Sequence, residues 1–261
     1  MSRISAKFKA LRAARRIGLV AYLTVGFPDI ASTVSLVTGL VDGGADFIEL
    51  GVPFSDPLAD GMTIQRASHE ALLNGVTVKT CFEAADRVRK SGVMVPILFM
   101  GYYNPVFSYG LDRFCAACQE VGVDGLIIPD LPPEEATELR RCCQDRGMDL
   151  VFFLAPTSTE ERIDKVAELG SGFIYCVSLM GVTGVRRDLS AALPEFLQRV
   201  RAKTDLPLAV GFGIATREHV RELSSMADAA VVGSAIIDLV EKTAPEERQA
   251  AVSQFIKQIK S

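Results

Sequence analysis

Two carboxylates in the stretch Phe47-Ile-Glu-Leu-Gly-Val-Pro-Phe-Ser-Asp-Pro-Leu-Ala-Asp-Gly61 hold positions that packing alone does not assign to charge. Glu49 lies in an apolar run from Phe47 to Pro53, short enough for a buried strand and preceded by the helix-ending Gly43-Gly44-Ala45-Asp46. In a strand, Phe47, Glu49 and Gly51 share one face, and Ile48, Leu50 and Val52 the other. A carboxyl among such neighbours is costly to ionise, so its pKa is expected to rise unless a partner is provided. Asp60 closes a loop whose Pro53, Asp56 and Pro57 are incompatible with regular structure. One acid on a strand tip and another in the following loop can face a single substrate as a general acid/base pair. A purely structural alternative stays open: Glu49 pairs with a buried Arg or Lys, and Asp60 caps a helix beginning near Met62.

The elements that must position these acids are legible as an alternation. Apolar strand candidates are Leu19–Val25, Phe47–Val52, Val95–Met100, Gly125–Ile128, Leu150–Leu154, Phe173–Val177, Leu208–Gly211 and Ala229–Val232. Helical patterns fall between and after them: Ile30–Val41, Val78–Lys90, Leu111–Val121, Pro133–Arg146, Thr159–Leu169, Leu189–Thr204, Arg217–Ser225 and Glu246–Ile259. Near-continuous apolar runs are what strands buried on both faces produce, and eight repeated βα units predict a (β/α)8 TIM barrel. Ser5 to Arg16, with Phe8 and Leu11 at helical spacing, adds an N-terminal extra helix as a lid over one end. An open, doubly wound sheet is disfavoured, because Thr24-Val-Gly-Phe-Pro-Asp29 follows the first strand where a dinucleotide-binding Gly-x-Gly-x-x-Gly would stand.

At 261 residues the chain fits one barrel domain. With 49% hydrophobic and 23% charged residues the composition is that of an ordinary globular protein, and a net charge of -4 leaves no footprint for nucleic acid. No apolar run is long enough to cross a bilayer, and the basic segment Met1 to Arg16 lacks the apolar centre of a secretory signal, so a cytoplasmic location is expected. Cys115-Ala-Ala-Cys118 sits on a helical pattern without a second pair at zinc-site spacing. The six cysteines are therefore expected to pack as small apolar side chains, with no metal site.

Barrel enzymes place chemistry at the C-terminal ends of their strands. Asp29 and Ser32, Pro132-Pro133-Glu134-Glu135 and Thr157-Ser-Thr-Glu160 fall there, but they read as helix starts, with Thr157 or Ser158 as caps. Glycine turns follow the last three strands: Gly181-Val-Thr-Gly184, Gly211-Phe-Gly213 and Gly233-Ser234. Together they occupy the barrel's recurrent phosphate site, with Gly233-Ser234 opening a short helix whose free N–H groups hold an anion. Tyr22, Met100, Ile127, Tyr175, Phe212 and Val232 can line a mouth beside it, although residues at strand ends also build core layers.

The run Glu-Leu-Gly-Val-Pro-Phe-Ser-Asp-Pro-Leu-Ala-Asp-Gly, residues 49–61, closely resembles the signature of the tryptophan synthase alpha subunit family, and the three glycine turns resemble its phosphate turns. The resemblance extends along almost the whole chain. It implies retro-aldol cleavage of indole-3-glycerol phosphate to indole and glyceraldehyde 3-phosphate, without a cofactor. By this resemblance Glu49 shuttles protons and Asp60 accepts the indole N–H. Gly184, Gly213, Gly233 and Ser234 bind phosphate, and Thr183 joins the aromatic set around the indole. It also implies a pyridoxal-phosphate-dependent beta subunit in an alpha2-beta2 tetramer, met through Pro53, Phe54, Asp56, Asn104, Pro105 and Phe107. Phe54, Tyr102, Tyr103, Val106 and Phe107 are then expected to reach solvent as an apolar patch. The family pattern has a basic residue after a serine where this chain has Ser178-Leu-Met-Gly181. Competing readings are a lyase that releases free indole alone and a regulatory subunit whose catalysis has decayed; retention of both acids and all three turns counts against decay.

Overall fold

The computed structural model describes residues 1–177, 192–211 and 213–260. Strands and helices alternate as α1 (Arg3–Ala13), β1 (Gly18–Thr24), α2 (Ser32–Gly43), β2 (Phe47–Gly51), α3 (Met62–Leu73), α4 (Val78–Lys90), β3 (Ile97–Met100), α5 (Tyr103–Tyr109), α6 (Leu111–Glu120) and β4 (Gly125–Ile127). They continue as α7 (Thr137–Gln144), β5 (Asp149–Leu154), α8 (Glu160–Leu169), β6 (Ile174–Val177), α9 (Leu193–Arg201), β7 (Leu208–Gly211), α10 (Arg217–Leu223), β8 (Ala229–Val232), α11 (Ser234–Lys242) and α12 (Arg248–Lys260). The strands pair in parallel in sequence order and close, β1 joining β8, into an eight-stranded TIM barrel. Among the described residues no helix is long and apolar enough to cross a membrane.

Each strand buries both faces. Ile48 and Leu50 of β2 pack outward against the helices, whereas Phe47 joins Val20, Leu98, Ile127, Val151 and Ala209 in the barrel interior. The period of two thus places Glu49 inside, on the face of Phe47. Around the outside, α2 and α12 approach closely: a Cβ on Gly39 would stand 2.5 Å from the Gln249 carbonyl, and one on Gly43 2.6 Å from that of Ser253.

Helix α1 closes the end at which the strands begin. Its Ile4, Phe8 and Leu11 are buried in the interior cluster, with the Phe8 ring 4.5 Å from Phe47 and 5.7 Å from Phe173. Burial of a side chain such as Phe8 contributes about 1.5–3 kcal/mol. Polar contacts ring this plug, since strand-start aspartates meet its cations: Arg3 with Asp124 at 2.6 Å, Lys7 with Asp46 at 3.1 Å and Arg12 with Asp228 at 2.7 Å. Ser2 Oγ donates to Asp149 at 2.6 Å. The same aspartates stitch neighbouring strands, the amides of Leu19, Ile97 and Leu208 donating to Asp46, Asp124 and Asp228 respectively.

Several expected boundaries shift. The pattern over Pro133–Arg146 divides into a 3-10 turn at Pro133–Glu135, where proline is tolerated in the first turn, and α7. Helix α8 is capped by Thr159, whose hydroxyl accepts from Arg162 N–H at 3.2 Å; neither Thr157 nor Ser158 caps it, and Ser158 instead accepts from Ala155. The stretch after β3 that carries Tyr102 to Phe107 contains α5, with Pro105 in its first turn.

Candidate active site

A cavity of about 570 Å3, open solvent at its mouth included, lies at the strand ends opposite α1. Tyr22, Glu49, Met100 and Tyr175 reach it from β1, β2, β3 and β6, Asp60 and Gly61 from the β2–α3 connection, Ile64 from the first turn of α3, and Gly213, Val231, Gly233 and Ser234 from the last two strands and their turns. Both acids, two of the phosphate-turn glycines, Ser234 and three of the aromatic-pocket residues therefore converge on one space.

Glu49 is fully buried, and among the described residues neither carboxyl oxygen has a hydrogen-bond partner. Among the described residues no Lys or Arg pairs with it, although the structural alternative required one. Desolvation, with the charge of Asp60 adding to it, pushes the Glu49 carboxyl up to about 8. Asp60 does not cap α3, whose first turn begins from Gly61 without a side-chain cap. Instead it accepts from Tyr102 Oη at 3.1 Å, while Tyr102 accepts from the amide of Ala59 at 2.9 Å. Burial raises Asp60 to about 6, against the lowering effect of the Tyr102 bond. Near neutrality Glu49 is mostly protonated and Asp60 mostly ionised, a division of labour set by environment.

Two tyrosines fill the walls because glycines leave them room. A Cβ on Gly51 would stand 2.2 Å from Tyr22 Oη, and one on Gly211 2.5 Å from Tyr175 Oη. The Tyr22 hydroxyl shares a hydrogen bond with Thr24 Oγ1 at 3.1 Å, and the Tyr175 ring lies 4.6 Å from that of Phe153. Both phenols are pushed well up by burial, so they remain neutral donors. Next to them Gly213 holds a φ of +77°, which a side chain rarely tolerates, and Ser234 stands at the first position of α11. Amides of a first helical turn have no partner inside the helix and point at whatever binds there.

Some expected positions differ. Val232 faces outward into the layer between β8 and the helices, and its neighbour Val231 lines the cavity; one residue along a strand exchanges faces. Ile127 points inward but packs in the interior away from the cavity. The expected apolar patch is largely folded back: Tyr102 and Val106 are buried, Phe54 stacks on Tyr102 at 5.3 Å and is half-buried, Tyr103 is half-buried, and only Phe107, 61% exposed, stands out. Of the other interface residues, Pro53 is buried, Pro105 half-buried, and Asp56 and Asn104 exposed. Leu58 and Met62, 94% and 82% exposed beside the site, are apolar surface that the motif reading passed over. Gly61 and Ile64 were also missed as lining residues; Ile64 was discoverable from the apolar positions of α3. Gly184, Thr183, Phe212 and residues 179–190 lie outside the described residues.

A barrel whose mouth holds a buried carboxyl, without a partner among the described residues, beside an ionised one, with the glycine turns after the last two strands lining the same cavity, defines an acid–base TIM-barrel enzyme. Sequence relationships give the particular family. The family model for the tryptophan synthase alpha chain matches residues 8–260, and the chain belongs to that family. It is 53% identical over 260 residues to the tryptophan synthase alpha chain of Roseiflexus sp. strain RS-1, covering 100% of both. With that of Chloroflexus aggregans it shares 51% over 261 residues, or 100% of this chain and 98% of the other. Among solved structures, an Aquifex aeolicus VF5 protein superposes with a TM-score of 0.90 at 39% identity, covering 100% and 98% of the two chains. The aminoacrylate-bound tryptophan synthase of M. tuberculosis gives 0.88 at 35% identity, covering 98% and 99%.

Proposed function

We propose that this chain acts as the lyase subunit of a tryptophan synthase, cleaving indole-3-glycerol phosphate to indole and glyceraldehyde 3-phosphate within one barrel domain. The observation that carries the roles is Glu49: fully buried, unpartnered among the described residues and held protonated near neutrality at the wall it shares with Asp60. Protonated Glu49 delivers its proton to C3 of the indole ring, and positive charge spreads to the ring N–H. Asp60 accepts a hydrogen bond from that N–H and stabilises the charge. The resulting Glu49 carboxylate takes the proton of the glycerol hydroxyl next to the ring. The electrons of that O–H bond form the aldehyde carbonyl, the carbon–carbon bond breaks, and its pair restores the indole. Glu49 ends protonated, as it began.

Gly213, Gly233 and Ser234, with Gly184, bind the phosphate, and Tyr22, Met100 and Tyr175 with Val231 flank the indole. Position at the cavity wall supports these assignments for the described residues. The indole passes to a pyridoxal-phosphate-dependent beta subunit that docks on the mouth, over Phe54, Asp56, Asn104, Phe107 and the exposed Leu58 and Met62. The assembly we infer is an alpha2-beta2 tetramer in the cytoplasm; six free thiols suit a reducing compartment. The test is to follow cleavage of indole-3-glycerol phosphate while titrating the beta subunit. Turnover is expected to rise to a plateau as the mouth is covered and water excluded. A flat rate, or no association in analytical ultracentrifugation, would instead indicate a lyase that works alone.

A further inference from the structure

We propose that Cys115 and Cys143 form an oxidation-sensitive pair, which a small peroxide converts to a disulfide stapling α6 to α7. Their sulfurs lie 3.8 Å apart across the packed faces of the two helices, both buried. A disulfide needs about 2.05 Å between sulfurs, so about 1.8 Å must be closed, a movement that side-chain rotation divides between two residues. Cys118, three residues from Cys115 on the same helix, is not the partner; the contact crosses between helices. No third metal-ligating side chain gathers there among the described residues, which separates the pair from a metal site.

The surroundings polarise the two thiols oppositely. The hydrogen bond that the two thiols share, with the positive charge of Arg146, lowers the Cys115 thiol, while the same contact and burial raise Cys143. Thiolate is the nucleophile in such chemistry, so Cys115 attacks. Its sulfur takes one peroxide oxygen, the O–O bond breaks and the first water leaves, giving a sulfenic acid. Cys143 sulfur then attacks Cys115 sulfur; the S–S bond forms, the S–O bond breaks and a second water leaves. Two thiols are oxidised by two electrons and one peroxide becomes two waters. Access comes through local opening of α7, which has only eight residues and no side-chain cap at Ala136.

The experiment is to expose the folded full chain to graded hydrogen peroxide, count alkylatable thiols after denaturation and map cross-linked peptides by mass spectrometry. Exposed Met62 and Met94 report the dose by sulfoxide formation. Two of the six thiols are expected to vanish together, joined as Cys115–Cys143 and restored by dithiothreitol. Cys118→Ser and Cys142→Ser should keep the cross-link, and Cys115→Ser should abolish it. Six intact thiols at a dose that fully oxidises Met62 and Met94, or a cross-link through any other pair, would overturn the proposal. The result on the unmutated chain decides even where a variant fails to fold.

Discussion

The hydroxyl of Tyr102 links the two loops at the barrel mouth, donating to Asp60 at 3.1 Å while taking the amide proton of Ala59 at 2.9 Å. Tyr102 follows β3 and Asp60 follows β2, so the ionised acid is positioned by a neighbour from a different βα unit. Stacking of Phe54 on the Tyr102 ring fixes the start of the same loop.

Tyr102→Phe should keep that stack and lose both hydrogen bonds. Asp60, raised to about 6 with the Tyr102 bond holding it down, should then titrate higher. The acidic limb of the kcat/KM profile for indole-3-glycerol phosphate cleavage is expected to move to higher pH. Loss of a hydrogen bond to a charged group amounts to about 1.5–3 kcal/mol, or about ten- to a hundredfold in activity near neutrality. An unshifted acidic limb would remove Tyr102 from the positioning of Asp60.

Glu49→Gln should reduce cleavage by at least ~10²–10⁴-fold and leave the fold intact. It should also change how stability depends on pH. Glu49 holds its proton up to about 8 in the folded chain but releases it near 4.5 when unfolded. The folded state therefore binds more protons between those values, so stability falls as pH rises through that window and levels off above it. Gln does not titrate. Urea unfolding at pH 5 and pH 8.5 should thus find the variant gaining on the parent by a few kcal/mol at the higher pH. A constant difference would mean that Glu49 is not held protonated.

Gly213→Val adds a branched side chain where φ is +77° and where the cavity wall carries the turns proposed to bind phosphate. Calorimetry with glycerol 3-phosphate should show binding lost or weakened at least about tenfold, equivalent to about 1.4 kcal/mol. Parent-like affinity would move the phosphate elsewhere.

Gly51→Ala tests the wall. Its Cβ would overlap Tyr22 Oη at 2.2 Å and push the ring into the cavity. Overpacking of this kind costs about 1–3 kcal/mol, visible as a lower thermal midpoint, together with a raised KM for cleavage.

Asp46→Ala leaves the Lys260 ammonium without its carboxylate at 2.7 Å and the Leu19 amide without its acceptor. Removing one partner of a buried pair costs about 3 kcal/mol or more. Urea denaturation should report this loss while cleavage, carried out at the other end of the barrel, keeps its KM.

The strands were legible because burial on both faces writes them as apolar runs, and Glu49 was legible because charge interrupts one. Ala229-Ala-Val-Val232 shows the limit: every residue is apolar, so no alternation says that Val231 rather than Val232 faces inward. Depth is equally silent, and Ile127 shares a face with cavity residues while packing away from them. Helix α5 was hidden by Asn104-Pro105, which reads as a loop although proline is tolerated in a first helical turn. The Tyr102–Asp60 bond spans 42 residues and leaves no local pattern. An aromatic near a strand end therefore looked like a candidate for solvent when its hydroxyl was committed to the site.

Among the described residues, the floor made by Ile4, Phe8 and Leu11 and its ring of ion pairs closes one end of the barrel and makes it a vessel entered from the other. Substrate arriving at Glu49 and both fragments leaving it must use the same threshold. A protein seated there would decide the order of traffic as well as its speed. Indole would step across directly, and the triose phosphate would have to wait for the doorway to clear.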